Sequence, residues 1–461
     1  MAYYSLMRRR RLFIAVLLCL FFCLPTSVLA ASDGAIDSPG NRPEQISDLD
    51  RQLLLELIKF SRFNIHFRLK SNYHQKWRFW TYALGREAGT AATFGGTLTD
   101  ITQQAKGLSN LRKISKNAIR NGIASSMTGN AISGSASSLE LVQNTWVMWQ
   151  AKKNGFSPRA SFAYIKKLMD STDTILDKRA QVISLEPSAS KKEVYELESA
   201  LFKRIRQQLL YEFLTWSVHS RDQAWRENTF YTVDALQSFT RMTATILARR
   251  ALDDRRFAKS AAICALVANS ALTANPIFRN VVGRTVGKIQ RHKLEKEFPF
   301  TRPSPSEDVM LELKQLQADY AADKQGPELA QLMELGARSE RIDTTLERET
   351  KQIERYRQIA QQQSVVGPVI GMTALASSIL STVAIYNYSD KPKIANRLGF
   401  SGRISQSTGQ VAALAYTPYT VVRGMILTKR LKARGELPEQ LLQQRLDKLA
   451  RIEQEISGTK P

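Results

Sequence analysis

Few side chains in this chain are spaced for chemistry. The four histidines, His66, His74, His219 and His292, include no pair three or four residues apart, the spacing that sets two ligands on one helix face. His66 and His74 are eight apart, nearly a right angle off a shared face. Cys19, Cys23 and Cys264 make no paired-ligand motif. No G-x-S-x-G, P-loop or dinucleotide fingerprint is present, and the glycines at 95–96 and 129–134 lack the preceding strand such turns need. The serines between 125 and 138 have no candidate base beside them. The sequence thus assigns no catalytic residue, no metal site and no cofactor, and the expectation is a non-enzymatic protein.

The remaining lead is a set of ionisable residues inside apolar stretches: Arg86, Glu87, Asp100, Glu140, Asp234 and Arg241. In hydrocarbon these groups are costly unless paired or facing water. A Glu140–Arg86 or an Asp234–Arg241 contact would latch neighbouring segments. Asp234 and Arg241, seven apart, share a helix face without touching. The same residues would be unremarked wet ends if those segments never met lipid.

The segments that must position them are rich in small residues. Val365–Tyr388 carries no charge and is long enough to cross a bilayer as a helix. Weaker versions lie at 88–105, 121–151, 229–248, 260–278 and 404–422. They pair into three helical hairpins, at 86–150, 229–290 and 365–422. The joining loops near 106–120, 249–259 and 389–403 are all net positive, which would place them in the cytoplasm if the arms spanned a membrane. Candidate helix-packing positions are Gly85, Gly89, Ser125, Gly129, Ser133, Gly283, Gly287, Gly367 and Gly371, small residues at fourfold spacing that let backbones approach. Ala118–Gly122 resembles Ala395–Gly399, too briefly to establish a repeat.

Hydropathy weighs against a simple membrane protein. Val365–Tyr388 has nine Leu, Ile or Val, giving roughly −4 kcal/mol for insertion before its polar and glycine penalties. Asn121–Leu139 would not insert alone, and Asp234 and Arg241 nearly exclude 229–248 as an independent span. Mean hydropathy is −0.28. Two architectures therefore stay open: hairpins that enter a membrane, or a soluble bundle whose hairpins pack closely.

The rest of the chain reads as amphipathic helix. Leu53, Leu54, Leu57, Ile58 and Phe60 follow a capping signal at Ser47-x-x-Asp50. Lys59–Trp80 interleaves cations with aromatics, suiting either a headgroup layer or a helix that packs its rings on neighbours. Ser190-x-x-Glu193 opens a run in which Val194, Leu197, Leu201, Ile205 and Leu209 recur at helical spacing up to Trp216. Residues 298–308, with Pro299, Pro303 and Pro305, form a linker that divides a helical region at 47–297 from another at 309–461. Within the latter, 309–363 is charged and helical in pattern, and Pro438 starts a last helix with Leu442, Leu446, Leu449 and Ile456 on one face. No strand pattern competes, so the fold class is all-α, with long amphipathic helices and three small-residue hairpins.

Charge and the N-terminus set the compartment. The formal net charge is +24 over 461 residues, favouring anionic partners. Arg8–Arg11, the apolar Leu12–Leu24, Pro25 and the small residues ending at Ala30 have the layout of an export signal, with cleavage expected after Ala30. An uncleaved anchor is the alternative. Residues 1–30 hold four Arg and no acid, so the remainder carries +20. Residues 31–46 read as a disordered leader. An exported protein with one remaining cysteine fits a bacterial periplasm or inner membrane and is not expected to bind nucleic acid. Anionic lipid or an envelope polymer is the expected partner, with a protein partner or self-association through the small-residue faces beside it. Three functions are carried forward: a membrane-associated scaffold, a soluble periplasmic adaptor for acidic glycan or lipid, and a transport or pore component.

Overall fold

The computed structural model describes residues 42–71, 76–298, 367–435 and 437–457. A first unit comprises residues 1–45, of which only 42–45 are described, as the opening of a helix; the second comprises residues 46–461. The export signal, most of the leader, His74 and the charged 309–363 stretch lie outside the described residues. Among the described residues the protein is helical throughout, without strands.

Helix α1 is Arg42–Ser71, α2 Lys76–Ser109, α3 Lys116–Lys153, α4 Pro158–Ser184, α5 Ala189–Ala251 and α6 Arg256–Glu297. Then come α7, Gly367–Asn387, α8, Pro392–Ala433, and α9, Pro438–Ser457. Helix α1 begins five residues before the Ser47 signal, so Ile46 is helical rather than part of a leader. Pro43 suits a first turn and Glu44 complements the helix dipole there. Elsewhere the stops are legible. Ser115 Oγ accepts from Ala118 N to cap α3, and Ser157 does the same for Ala160 ahead of Pro158. Gly155 ends the α3–α4 turn at φ +79°, a value that favours glycine.

Helix α5 is the axis of the fold. Its 63 residues span about 95 Å, and no Gly or Pro interrupts them, so two stretches that read as separate in the sequence form one helix. Its first half belongs to a head and its second half to a stem.

The head has an ordinary apolar core. Leu53, Leu57, Phe60 and Phe67 of α1, Ile165 and Leu176 of α4, Leu201, Ile205 and Phe213 of α5, and Leu442, Leu449 and Ile456 of α9 are all buried together. Leu294 and Phe298 at the end of α6 complete it. The Lys59–Leu69 part of the cation–aromatic stretch packs here. Phe63 stacks on Phe67, Phe156 and Tyr164, Arg62 pairs with Glu453 of α9 at 2.5 Å, and Lys70 sits over the Phe156 ring. Segments before and after 298–308 thus share one core, and that proline-rich stretch does not separate two independently packed bodies.

The stem consists of three hairpins, α2–α3, the second half of α5 with α6, and α7–α8. Helix α2 packs on α3, α3 on α5, α5 on α6 and α8 back on α2. Helix α6 meets α7 through Asn269 Nδ2, which donates to the Ala374 carbonyl at 3.0 Å. Helix α7 meets α8 through Ser405 Oγ, which donates to the Thr373 carbonyl at 3.1 Å. The arms therefore follow one another in a closed cycle. All three loops gather at the end away from the head: Arg120 pairs with Asp253 at 2.6 Å, Asn396 donates to the Gln104 carbonyl at 2.9 Å, and Lys259 lies 5.0 Å from the Tyr386 ring.

Candidate functional site

The stem buries what the head exposes. Its interior holds Gly122, Gly129, Ser133, Ser137 and Glu140 of α3, Asp234, Gln237 and Ser238 of α5, Asn269 and Asn275 of α6, Ser377 and Ser378 of α7, and Gln410 and Thr420 of α8. Its outer surface carries Leu98, Ile132, Leu139, Leu236, Phe239, Ile263, Val267, Met372, Ile379, Ile404 and Val411. Apart from Tyr164, Leu185 and Trp225, every exposed large hydrophobic side chain among the described residues is on a stem helix. No exposed residue within 84–105, 121–145, 229–248, 260–278, 367–387 or 398–422 is charged.

Close approach makes this interior possible. On α2 and α3 the small residues interlock: a Cβ built on Gly89 would lie 2.6 Å from the Gly129 carbonyl oxygen, and one on Gly85 would lie 2.9 Å from the Ala136 methyl. Both distances are too short for real atoms, so these backbones touch. Ser133 packs on Gly89, and Ser125 Oγ donates to the Ala92 carbonyl at 2.7 Å. Gly371 meets Thr273 of α6. Gly283 accommodates the Arg226 side chain and Asp222, whereas Gly287 has only ordinary contact with Asp222. Gly367 is no packing position: a Cβ there would meet nothing within 4 Å, because it opens α7. Positions not anticipated include Gly96 against Gly122, Gly402 against Ser377 and Gly409 against Thr373. Their signal was a seven-residue spacing, two helical turns, in Gly89/Gly96, Gly122/Gly129 and Gly402/Gly409.

The ionisable residues all turn inward or toward the stem's ends. Arg86 of α2 pairs with Asp234 of α5 at 2.9 Å, not with Glu140. The Tyr82 hydroxyl donates to Asp234 at 3.2 Å, as does Ser137 of α3, and Gln237 Nε2 donates to it at 3.0 Å. Arg241 does not pair with Asp234; its Nε donates to Asn269 Oδ1 at 2.7 Å, joined by Nη2. Asn269 in turn donates to Ser378 of α7. Glu140 is buried on α3, and Glu87 hydrogen-bonds Thr417 of α8. Asp100 and Arg403, 3.0 Å apart, join α2 to α8; this pair links two hairpins far apart in sequence and gave no local signal.

The head has ion clusters of a structural kind. Glu212 of α5 pairs with Arg68 of α1 and, at 3.0 Å, with Arg445 of α9. Burial pushes the Glu212 carboxyl up, but the two guanidinium groups outweigh it and hold it below its usual value. Arg179 pairs with Asp50 and Glu198, each at 2.5 Å. His66 is shifted down by burial and by Lys70 and Arg62, His219 lies against Trp216, and His292 is exposed. Cys264 is a free, partly exposed thiol on α6. Among the described residues no group of three His, Cys, Asp or Glu converges on a metal-sized site. No protein-family model matches the chain, and no curated protein or solved structure is detectably similar to it.

Two helices are long and apolar enough to cross a membrane, α6 and α7. The other arms fall short by composition, yet they present equally apolar outer faces. Aromatics border the faces at the head side, where exposed Trp146 and Trp149 stack at 5.1 Å with Lys153 over the latter. At the loop side Arg250 lies over Phe257 and Lys259 over Tyr386.

Proposed function

We propose that the stem is embedded in a membrane and that the protein is a non-enzymatic envelope scaffold, holding its helical head at one bilayer face. The observation that carries this reading is the reversal of burial along α5: large apolar residues inside in the head, small and polar residues inside in the stem. In water the second arrangement would leave dozens of apolar groups exposed; in lipid it satisfies both the outer face and the inner polar groups. The dimensions agree. From Trp146 to the start of α3 at Lys116 is thirty residues, about 45 Å, the thickness of a bilayer with its headgroup layers. The loop end carries Lys106, Arg112, Lys113, Lys116, Arg249, Arg250, Arg255, Arg256, Lys391 and Lys393, which favours a cytoplasmic placement against anionic lipid. The head then faces the periplasm, where its partner is an anionic envelope component or another protein.

Sodium carbonate washing of membranes, followed by flotation of the purified protein with liposomes, tests this. The protein stays in the pellet and floats with lipid; release into the wash together with failure to float would end the reading. Cysteines replacing Lys113 and Lys393 react with an impermeant maleimide only after lysis, and labelling from outside intact cells would reverse the topology.

A further inference from the structure

We infer that the interior of the stem is a path for small anions, with Arg241 as the group that holds an anion at mid-depth; this rests on the membrane reading above. Three arginines lie among the stem arms, and two have carboxylates. Arg86 has Asp234 at 2.9 Å and Arg403 has Asp100 at 3.0 Å. Arg241 has none within ion-pair distance among the described residues. Its hydrogen bonds go to one neutral oxygen, Asn269 Oδ1, through Nε and Nη2, and Nη1 makes none among the described residues. Asn269 is itself fixed by donating to Ala374 and Ser378, so the guanidinium is held rigidly from one side.

Position makes this arrangement costly. Arg241 is ten residues from the end of α5 at Ala251, about 15 Å, half the roughly 30 Å hydrocarbon thickness. A cation at that depth demands a counter-charge or water. Arg86 and Asp234 both act on it electrostatically, and together the three groups carry a net charge of +1, which an anion would neutralise. The polar surface also continues toward the head. Asp234, Gln237, Ser238 and Arg241 form one ladder on α5. Gln237 is 1% exposed, and its Oε1 has no hydrogen-bond partner. Arg86, at the head end of the ladder, is 27% exposed, so water reaches it from inside an otherwise apolar-walled stem. A guanidinium edge beside amides and hydroxyls selects a hydrogen-bond-accepting anion rather than a cation.

The test is efflux from proteoliposomes loaded with chloride, nitrate or phosphate, run on protein first shown to float with the vesicles. Insertion is thereby established separately from conduction. The wild-type protein releases at least one of these anions faster than protein-free vesicles. Arg241→Gln reduces that rate at least tenfold, while Arg241→Lys keeps a substantial part of it, and the double exchange Asp100→Asn with Arg403→Gln keeps most of it. Floated wild-type protein that releases none of the three anions faster than empty vesicles would overturn the inference. So would an Arg241→Gln protein that floats and conducts as the wild type does.

Discussion

The two halves of α5 bury opposite kinds of side chain within one uninterrupted helix. Between Leu201 and Trp216 the buried face is Leu, Ile, Phe and Trp. Between Asp234 and Ala244 it is Asp, Gln, Ser and Ala, while Leu236 and Phe239 point outward. Helix propensity and local geometry are the same in both halves, so the difference teaches something about solvent. The head is stabilised by removing apolar area from water. The stem relies on close backbone contact and internal hydrogen bonds, which is how helices associate where the surroundings are already apolar.

The strongest way to break this contrast is to truncate one phenylalanine in each region. Phe213→Ala removes a ring that touches Phe63, Phe67 and Phe162 and should cost about 3–5 kcal/mol, read as a loss of denaturant resistance in the head. Phe239→Ala, 40% exposed on the stem, should cost less than about 1 kcal/mol in lipid or detergent. Similar large losses at both sites would erase the distinction.

A smaller effect comes from the glycine contacts. Gly96→Val forces a side chain against the Gly122 carbonyl and Ser126 and should destabilise the α2–α3 hairpin by about 1–3 kcal/mol. Gly367→Ala, with open space around it, should leave thermal stability unchanged. If both are silent, the stem is looser than its packing implies.

The smallest effect is pH-dependent and belongs to the head alone. Glu212 is held below its usual value of 4.5 in the folded protein. The folded state therefore binds fewer protons than the unfolded state in that range, and the stabilisation, fully present above pH 4.5, is lost as pH falls through the folded value. Head unfolding, followed by tryptophan fluorescence, should become easier below pH 4.5 in the wild type. Glu212→Gln should start less stable and show a shallower decline. An equally steep acid decline in the variant would assign the effect to other groups.

The sequence made the helical class, the three hairpins and the shared basic character of their loops legible, because each has a local signature. Charge-free Val365–Tyr388 announced α7. The other arms were obscured for a physical reason: a hydropathy sum counts Ser133, Ser137 or Asn130 as a penalty wherever it points, although each faces a neighbouring helix. Asp234 and Arg241 argued against a span at 229–248 for the same reason, since their partners Arg86 and Asn269 lie on other helices. The head was half legible. Periodicity marked its apolar faces, but nothing near Arg445 or Glu453 foretold their pairing with Glu212 and Arg62, hundreds of residues away. The Pro-rich 298–308 stretch looked like a boundary because composition records a break in helix, not where the chain goes afterwards.

Collision accessibility of nitroxide labels addresses the membrane placement most directly. Labels would replace Leu98, Val267 and Ile404, one on each hairpin, with Cys264 changed to Ser and the protein in liposomes. Each site is eleven or twelve residues from the loop end of its helix, about 17 Å into the stem. All three should collide more with oxygen than with a water-soluble nickel chelate, and a label at Leu185 in the head should show the reverse. Stem labels as open to the nickel chelate as Leu185 would contradict the account.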